Sequence, residues 1–160
     1  MRKLWTCNDW SLFVDTTSRQ GIRLRFDPKV HSEVRRALKE FVRWLRVYYE
    51  FPIRVPVYLK ASETITTFTT RETASASFFA PYDKTVEPYI RIAVGDYEAL
   101  CRERGQDNAL AAILHSLAHE LSHYYQWLKD YEWNPSKNEK QARYYAREII
   151  LDYAETREHP

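Results

Sequence analysis

The chain has 160 residues, about the length of one domain, and we predict a single domain over residues 1–160. Only 3 glycines and 7 prolines argue against a low-complexity or disordered chain, and a hydrophobic fraction of 44% is ordinary for a globular protein. A formal net charge of +2 indicates neither a nucleic-acid nor a membrane partner.

The predicted compartment follows from the start of the chain and from its apolar runs. Residues 1–9 lack the continuous apolar stretch of a signal peptide, and no run approaches the length of a membrane span. We therefore predict a cytoplasmic protein that does not act at a membrane. Cys7 and Cys101 have no metal-type spacing and make no disulfide framework, so we expect two free thiols.

A strand and a long helix are predicted at the beginning of the chain. Residues 21–26 alternate apolar and basic side chains, which is typical of a half-buried strand. Asp27 and Pro28 have the residue types of a helix cap and a first helical position, so we place the helix start there. Apolar residues then recur at steps of three and four to about residue 50, as in an amphipathic helix.

The opposite face of this first helix is basic and carries Arg35, Lys39, Arg43 and Arg46. Because Glu33 and Glu40 interrupt this face, we interpret it as a solvated face rather than as a nucleic-acid site. Binding of nucleic acid is therefore not expected.

Three more strands are predicted before the remaining helices. The first of these covers residues 53–60, where Pro56 indicates a sheet edge or a bulge because proline cannot donate to a strand ladder. The others cover residues 75–79 and 89–94. The polar, threonine-rich residues 64–73 fit neither periodicity and are not assigned.

The second half of the chain is predicted to be mostly helical. The first expected helix runs from Asp96 to about residue 104, and the second from Asp107 or Asn108 to about residue 129. The third runs from Ser136 to about residue 156. Since strands come first and helices gather later, we predict an α+β fold with helices packed on one sheet.

The sequence His119-Glu120-Leu121-Ser122-His123 lies inside the second of these helices and has the pattern His-Glu-x-x-His. Residues four apart on a helix have Cβ atoms ~5–6 Å apart, so two imidazoles can hold one zinc ion at roughly 2.0–2.1 Å per bond. Glu120 is then turned to the side and can take a proton from a zinc-bound water whose pKa is lowered to about 7. We expect His115, one turn earlier, to support His119 or to be structural.

A plain alternative is that these are polar residues on the solvent face of a buried helix. Leu117, Ala118 and Leu121 make the neighbourhood apolar, which disfavours it. A third zinc ligand has to come from elsewhere, because residues 124–129 contain neither the glycine nor the third histidine of the extended metzincin pattern, and the chain's only methionine is Met1. The candidates are the carboxylates Asp130, Glu132 and Glu139, and Cys7 could reach the zinc as an inhibitory thiolate.

The segment Glu139-Lys140-Gln141-Ala142-Arg143-Tyr144-Tyr145-Ala146 resembles the Glu-x-x-Ala-x-x-Phe-Ala segment that follows the zinc motif in small gluzincin-like metallopeptidases, such as the minigluzincins and the ImmA/IrrE type. The resemblance covers roughly residues 74–150, with a tyrosine at position 145 where the family has phenylalanine. It implies a zincin-like domain with a small, twisted, parallel-to-mixed sheet of three to four strands. It also implies one zinc ion per chain, held by His119, His123 and Glu139, with Glu120 as catalytic base.

The same resemblance implies a peptide or protein substrate bound along the strand at residues 75–79, at the sheet edge above the cleft. Ala76 and Ser77 are small enough for a substrate backbone to approach. The negative charge that develops on the tetrahedral intermediate of peptide hydrolysis needs a hydrogen-bond donor, which could be any of Tyr82, Tyr124, Tyr144 and Tyr145. A zinc-binding domain of the same fold without catalysis, acting as a regulatory or interaction module, is the alternative.

Overall fold

The computed structural model describes residues 2–15, 17–67 and 72–160. The strands are β1 Ile22–Phe26, β2 Val55–Lys60, β3 Ile65–Thr66, β4 Thr73–Ala74, β5 Ala76–Phe79 and β6 Tyr89–Ala93. The helices are α1 Ser32–Tyr48, α2 Tyr97–Arg104, α3 Gln106–Leu128 and α4 Pro135–Ala154, preceded by 3₁₀ turns at Lys3–Trp5 and Trp10–Leu12. Of the segment that the sequence left unassigned, residues 68–71 lie outside the described residues.

The main sheet has four strands in the order β1-β2-β6-β5. Strands β1, β2 and β6 are parallel, and β5 pairs antiparallel with β6, which makes the sheet mixed. The short strands β3 and β4 form a separate antiparallel pair. The predicted α+β fold with a parallel-to-mixed sheet of three to four strands packed on helices is confirmed.

The sheet buries one face, because its strands alternate apolar and polar side chains. Ile22, Val57 and Ile90 are fully buried and belong to the same core as helices α1 and α3. Arg25 and Tyr58, which lie opposite each other in the register of β1 and β2, are exposed. Helix α3 therefore lies against the apolar face of the sheet, close to β5.

The prediction that Pro56 marks an edge or a bulge is wrong, since β2 lies between β1 and β6. The Val55 N–H donates to the Gly21 carbonyl on the β1 side. Backbone groups alternate along a strand, so the missing N–H of Pro56 faces β6. The ladder between β2 and β6 starts only at Val57, so proline interrupts no hydrogen bond there.

Two predicted helix caps are also wrong. His31, and not Asp27, caps α1, with its Nδ1 accepting the Glu33 N–H at 3.0 Å. Asp27 accepts the Ala61 N–H at 3.1 Å and so ties together the ends of two parallel strands. Helix α4 is capped by Asn134, not by Ser136, because the Pro135 that follows it is favoured at the first helical position.

Helix α3 begins after Gly105, whose φ of +84° separates it from α2. Its predicted start, with Asp107 or Asn108 as the cap, is therefore two to three residues late.

The basic face of α1 is largely engaged within the molecule. Arg35 donates to the carbonyls of Asp27, Pro28 and Val30 and lies over the Phe26 ring. Arg46 donates to the Ile22 carbonyl at 2.7 Å.

The N-terminal segment packs on the back of α3. The buried Trp5 donates through Nε1 to Ser122 Oγ at 3.0 Å, and Ser122 donates to the Ala118 carbonyl at 2.9 Å. Both residues are fully buried. In the part of the chain that the structure describes, no helix is long and apolar enough to cross a membrane.

Tyr124 provides a test of how α3 is attached to the sheet. Its buried hydroxyl donates to the Ile53 carbonyl and accepts the Ile53 N–H. Replacing Tyr124 with phenylalanine leaves two buried backbone groups unpaired, and we expect the free energy of unfolding to fall by about 1–3 kcal/mol in urea denaturation. Tyr48→Phe, which removes a hydroxyl from an exposed side chain, is the control. Equal stability of the two variants would contradict this account.

Candidate metal centre

Helices α3 and α4 form a hairpin, and this hairpin brings the predicted ligands together. Helix α3 ends in a Schellman-type turn, in which Asp130 has a φ of +56° and the Tyr131 N–H donates to the Gln126 carbonyl. Ala142 and Ala146 of α4 are fully buried, and their small side chains let α4 lie close to α3. As a result, the second turn of α4 faces the middle of α3.

Two histidines and one carboxylate meet at this place. The distance from His119 Nε2 to Glu139 Oε2 is 3.1 Å, and from His123 Nε2 to Glu139 Oε1 it is 2.8 Å. Within the described residues, these three form the group of histidine, cysteine and acidic side chains that could hold a metal ion, with ligand atoms within 4.8 Å of one another. The structure thus brings together the three residues that the sequence named as ligands.

The dimensions and chemistry of this group fit a zinc ion. Ligand atoms around a tetrahedral zinc ion with bonds of 2.0–2.1 Å are roughly 3.3 Å apart, and the distances of 3.1 and 2.8 Å from the two imidazoles to Glu139 lie within about half an ångström of this value. Burial, and next the neighbouring His123, lower the pKa of His119, which favours the neutral ring that a metal requires. Imidazole and carboxylate donors suit zinc and also other divalent ions.

Glu120 lies beside this group and is almost fully buried, with 8% of its surface exposed. Burial, and next the negative charge of Glu139, raise the pKa of Glu120 to about 8. The carboxyl group therefore holds its proton near neutral pH in the metal-free protein. A cation bound by the neighbouring ligands would oppose both causes and favour the ionised form.

The other candidate ligands lie elsewhere. Asp130 pairs with Lys84 at 2.7 Å. Glu132 and Cys7 are not members of the three-residue group, and both cysteines are free thiols, as predicted. The His115 ring is half-buried, with its centre 6.4 Å from that of His119. A supporting role for His115 stays a prediction.

The candidate centre opens into a cleft of about 550 Å³ between α3, the α3–α4 connection and β5. Glu120, His123 and Glu139 line it, and Ala76 and Ser77 line the opposite wall. Strand β5 is the last in the sheet order, which confirms the predicted position of this segment at the edge of the sheet above the cleft. The remaining walls are rich in aromatic rings: Phe78, Phe79, Tyr89, Trp127, Tyr131 and Trp133.

Along β5, the backbone N–H and C=O groups of successive residues point alternately toward β6 and toward the open side of the strand. The Ala93 N–H donates to the Ser75 carbonyl, so the backbone groups of Ser77 also face β6. The N–H and C=O groups of Ala76 and Phe78 point away from β6. The backbone groups of Ala76, and not those of Ser77, are therefore directed to the open side of β5.

The predicted tyrosine donors are not on the cleft wall, whose tyrosines are Tyr89 and Tyr131. Tyr124 is fully buried and its hydroxyl is bonded to Ile53. Tyr82 and Tyr144 are exposed. The sequence alone offered no basis for choosing a hydrogen-bond donor among the tyrosines, because tyrosine occurs 12 times in the chain.

Sequence reasoning missed two buried polar residues next to the ligands. Gln126, on α3, is 3% exposed, and Asn138, on α4, is 8% exposed. The Gln126 side chain donates to the Asn138 carbonyl across the two helices. His123 Nδ1 is 2.8 Å from Gln126 Oε1. The available signal was the position of Gln126 three residues after His123, which places both on one face of the helix.

Neither a protein-family model nor a curated protein matches this chain. Among solved structures, the solution structure of TM1509 from Thermotoga maritima is similar to it, with 17% identical residues and a TM-score of 0.46. The similarity covers 85% of this chain and 93% of that chain.

The raised pKa of Glu120 has a measurable effect on the metal-free protein. Because folding raises this pKa from 4.5 to about 8, the associated stability is complete below pH 4.5 and is lost as the pH rises to about 8. Glu120→Gln cannot ionise, so its unfolding free energy relative to wild type should increase over this range, by up to about 1.4 kcal/mol per pH unit. Urea denaturation in the presence of a chelator measures the difference.

The matched control is Glu132→Gln, which changes an exposed carboxylate. Its pH profile should run parallel to that of wild type. A parallel profile for Glu120→Gln as well would show that Glu120 is ionised at neutral pH without metal.

Proposed function

We propose that this protein is a zinc-dependent metallopeptidase that binds one zinc ion per chain and hydrolyses peptide bonds. The observation that carries the proposal is the meeting of His119, His123 and Glu139 beside the buried Glu120, on the wall of an open cleft. A structural zinc site usually has four protein ligands, whereas a catalytic site has three and keeps one position open. The proposed cytoplasmic location rests on the sequence alone.

The roles of the residues follow from their positions. His119 and His123 would hold zinc through Nε2, and Glu139 through its carboxylate. A bound zinc ion supplies Lewis acidity and lowers the pKa of a water to about 7. Glu120, which shares the cleft with the ligands, would accept a proton from the attacking water and return it to the leaving amine.

Strand β5 supports an extended peptide as the substrate. The outward N–H and C=O groups of Ala76 and Phe78 can pair with a peptide strand, as in other cases of strand addition to a sheet edge. The small side chain of Ala76 leaves room for that approach. The aromatic side chains of the cleft, including the exposed Trp133, offer apolar surface for substrate side chains.

Glu120→Gln tests the proposed function directly. The change keeps the shape of the side chain but removes the base, so we expect zinc content equal to that of wild type and hydrolysis reduced by about 10²–10⁴-fold. A quenched fluorescent peptide library measures cleavage, and elemental analysis measures zinc.

Glu132→Gln, in the exposed α3–α4 connection, should keep both zinc and activity. Undiminished hydrolysis by Glu120→Gln would contradict the assigned base. If zinc-loaded wild type cleaves no member of the library, the zinc-binding module without catalysis becomes the better description.

A further inference from the structure

We propose that Gln126 is a positioning residue that sets the tautomer of His123 and joins it to the helix that carries Glu139. The inference rests on the metal site of the proposed function, but not on peptide hydrolysis. It concerns a buried polar side chain for which the motif itself assigns no role.

The orientation of the Gln126 side-chain amide follows from its surroundings. Its Nε2 lies 3.0 Å from the backbone carbonyl oxygen of Asn138, and 2.8 Å from Oε1 of Gln141. A backbone carbonyl can only accept, so the NH₂ group must be on this side. The carbonyl oxygen Oε1 therefore points to His123, and the opposite assignment of the amide is excluded.

This orientation determines the state of the His123 ring. Oε1 of Gln126 can only accept, so His123 Nδ1, at 2.8 Å, must carry a proton and donate it. Nε2, 2.8 Å from Glu139 Oε1, is then the nitrogen left for a metal ion, which would take the place of the proton that joins these two atoms in the metal-free protein. Gln126 thus prepares the nitrogen that a metal ion would bind.

The same amide also joins the two helices that supply ligands. Asn138, whose carbonyl accepts from Gln126, directly precedes Glu139 in α4. Burying a primary amide is unfavourable unless its hydrogen bonds are made, and here three contacts satisfy it on both sides. Gln126 therefore fixes the separation of His123 and Glu139 as well as the orientation of the ring.

Two substitutions separate these effects. Gln126→Leu removes the acceptor and the donor, whereas Gln126→Glu keeps an acceptor for His123 and loses the donor to Asn138. Substituting a residue that hydrogen-bonds to a metal-binding histidine typically lowers metal affinity by about 10–100-fold. We expect zinc affinity to fall by about that factor in Gln126→Leu, and by less in Gln126→Glu, which loses only the link to α4.

Gln141→Leu is the matched control, since it removes one partner of the amide and leaves the contacts to His123 and Asn138 in place. Its zinc affinity should stay within about threefold of wild type. Competition with a chromophoric chelator at fixed pH gives the affinities. Circular dichroism establishes that each variant is folded.

Nitrogen-15 NMR of the metal-free wild type gives a second, independent reading. We expect the neutral His123 ring to carry its proton on Nδ1, and Gln126→Leu to shift the population toward the Nε2–H form. The inference is overturned if Nδ1 of wild-type His123 carries no proton, or if folded Gln126→Leu binds zinc as tightly as wild type. If Gln126→Leu does not fold, the inference is still tested by the position of the proton on wild-type His123 and by the zinc affinity of Gln126→Glu.

Failure of the proposed function looks different from failure of this inference. A protein that binds zinc with the expected dependence on Gln126 but cleaves no peptide would disprove only the peptidase. A protein that binds no zinc would disprove the metal site, and the NMR measurement would still show whether Gln126 holds the His123 tautomer.

Discussion

Helix α3 has to lie in two environments at once, and the rest of the structure depends on how it does so. Leu117 and Leu121 are fully buried in the core, while the rings of His119 and His123, one turn apart, lie 5.0 Å from each other and both contact Glu139. Turning the helix about its axis would expose those leucines, at a cost on the order of 1.5–3 kcal/mol for each side chain. The direction of the two imidazoles is therefore fixed by the apolar stripe on the other side of the same helix.

Electrostatics then explains why the polar side of α3 is suited to a cation. Two ring nitrogens and a carboxylate oxygen pair converge within hydrogen-bonding distance, and a second carboxyl group, that of Glu120, is buried beside them. Without a cation, protons have to neutralise this arrangement, and the raised pKa of Glu120 reflects that requirement. A divalent ion would replace several of these protons, so metal binding and proton release should be linked.

The sequence predicted what depends on periodicity and spacing, and failed where tertiary partners decide. The four strands of the main sheet and the four helices follow from apolar periodicity, and the meeting of His119 and His123 follows from helical geometry. Glu139 could be selected over Asp130 only by the family resemblance, because the local sequence of the α3–α4 connection does not determine where α4 runs. Asp27 was misread as a cap because its partner, the Ala61 N–H, belongs to a strand end far along the chain. Gln126 was missed for the same kind of reason, since its importance arises from contacts with α4.

X-ray absorption spectroscopy of the zinc-loaded protein tests the central claim most directly, because it reports the atoms around the metal. We predict nitrogen and oxygen ligands at about 2.0–2.1 Å with the outer-shell scattering of two imidazoles. Zinc content should fall sharply in both His123→Ala and Glu139→Ala. A sulfur ligand at about 2.3 Å, or a zinc environment unchanged in these variants, would contradict the site described here.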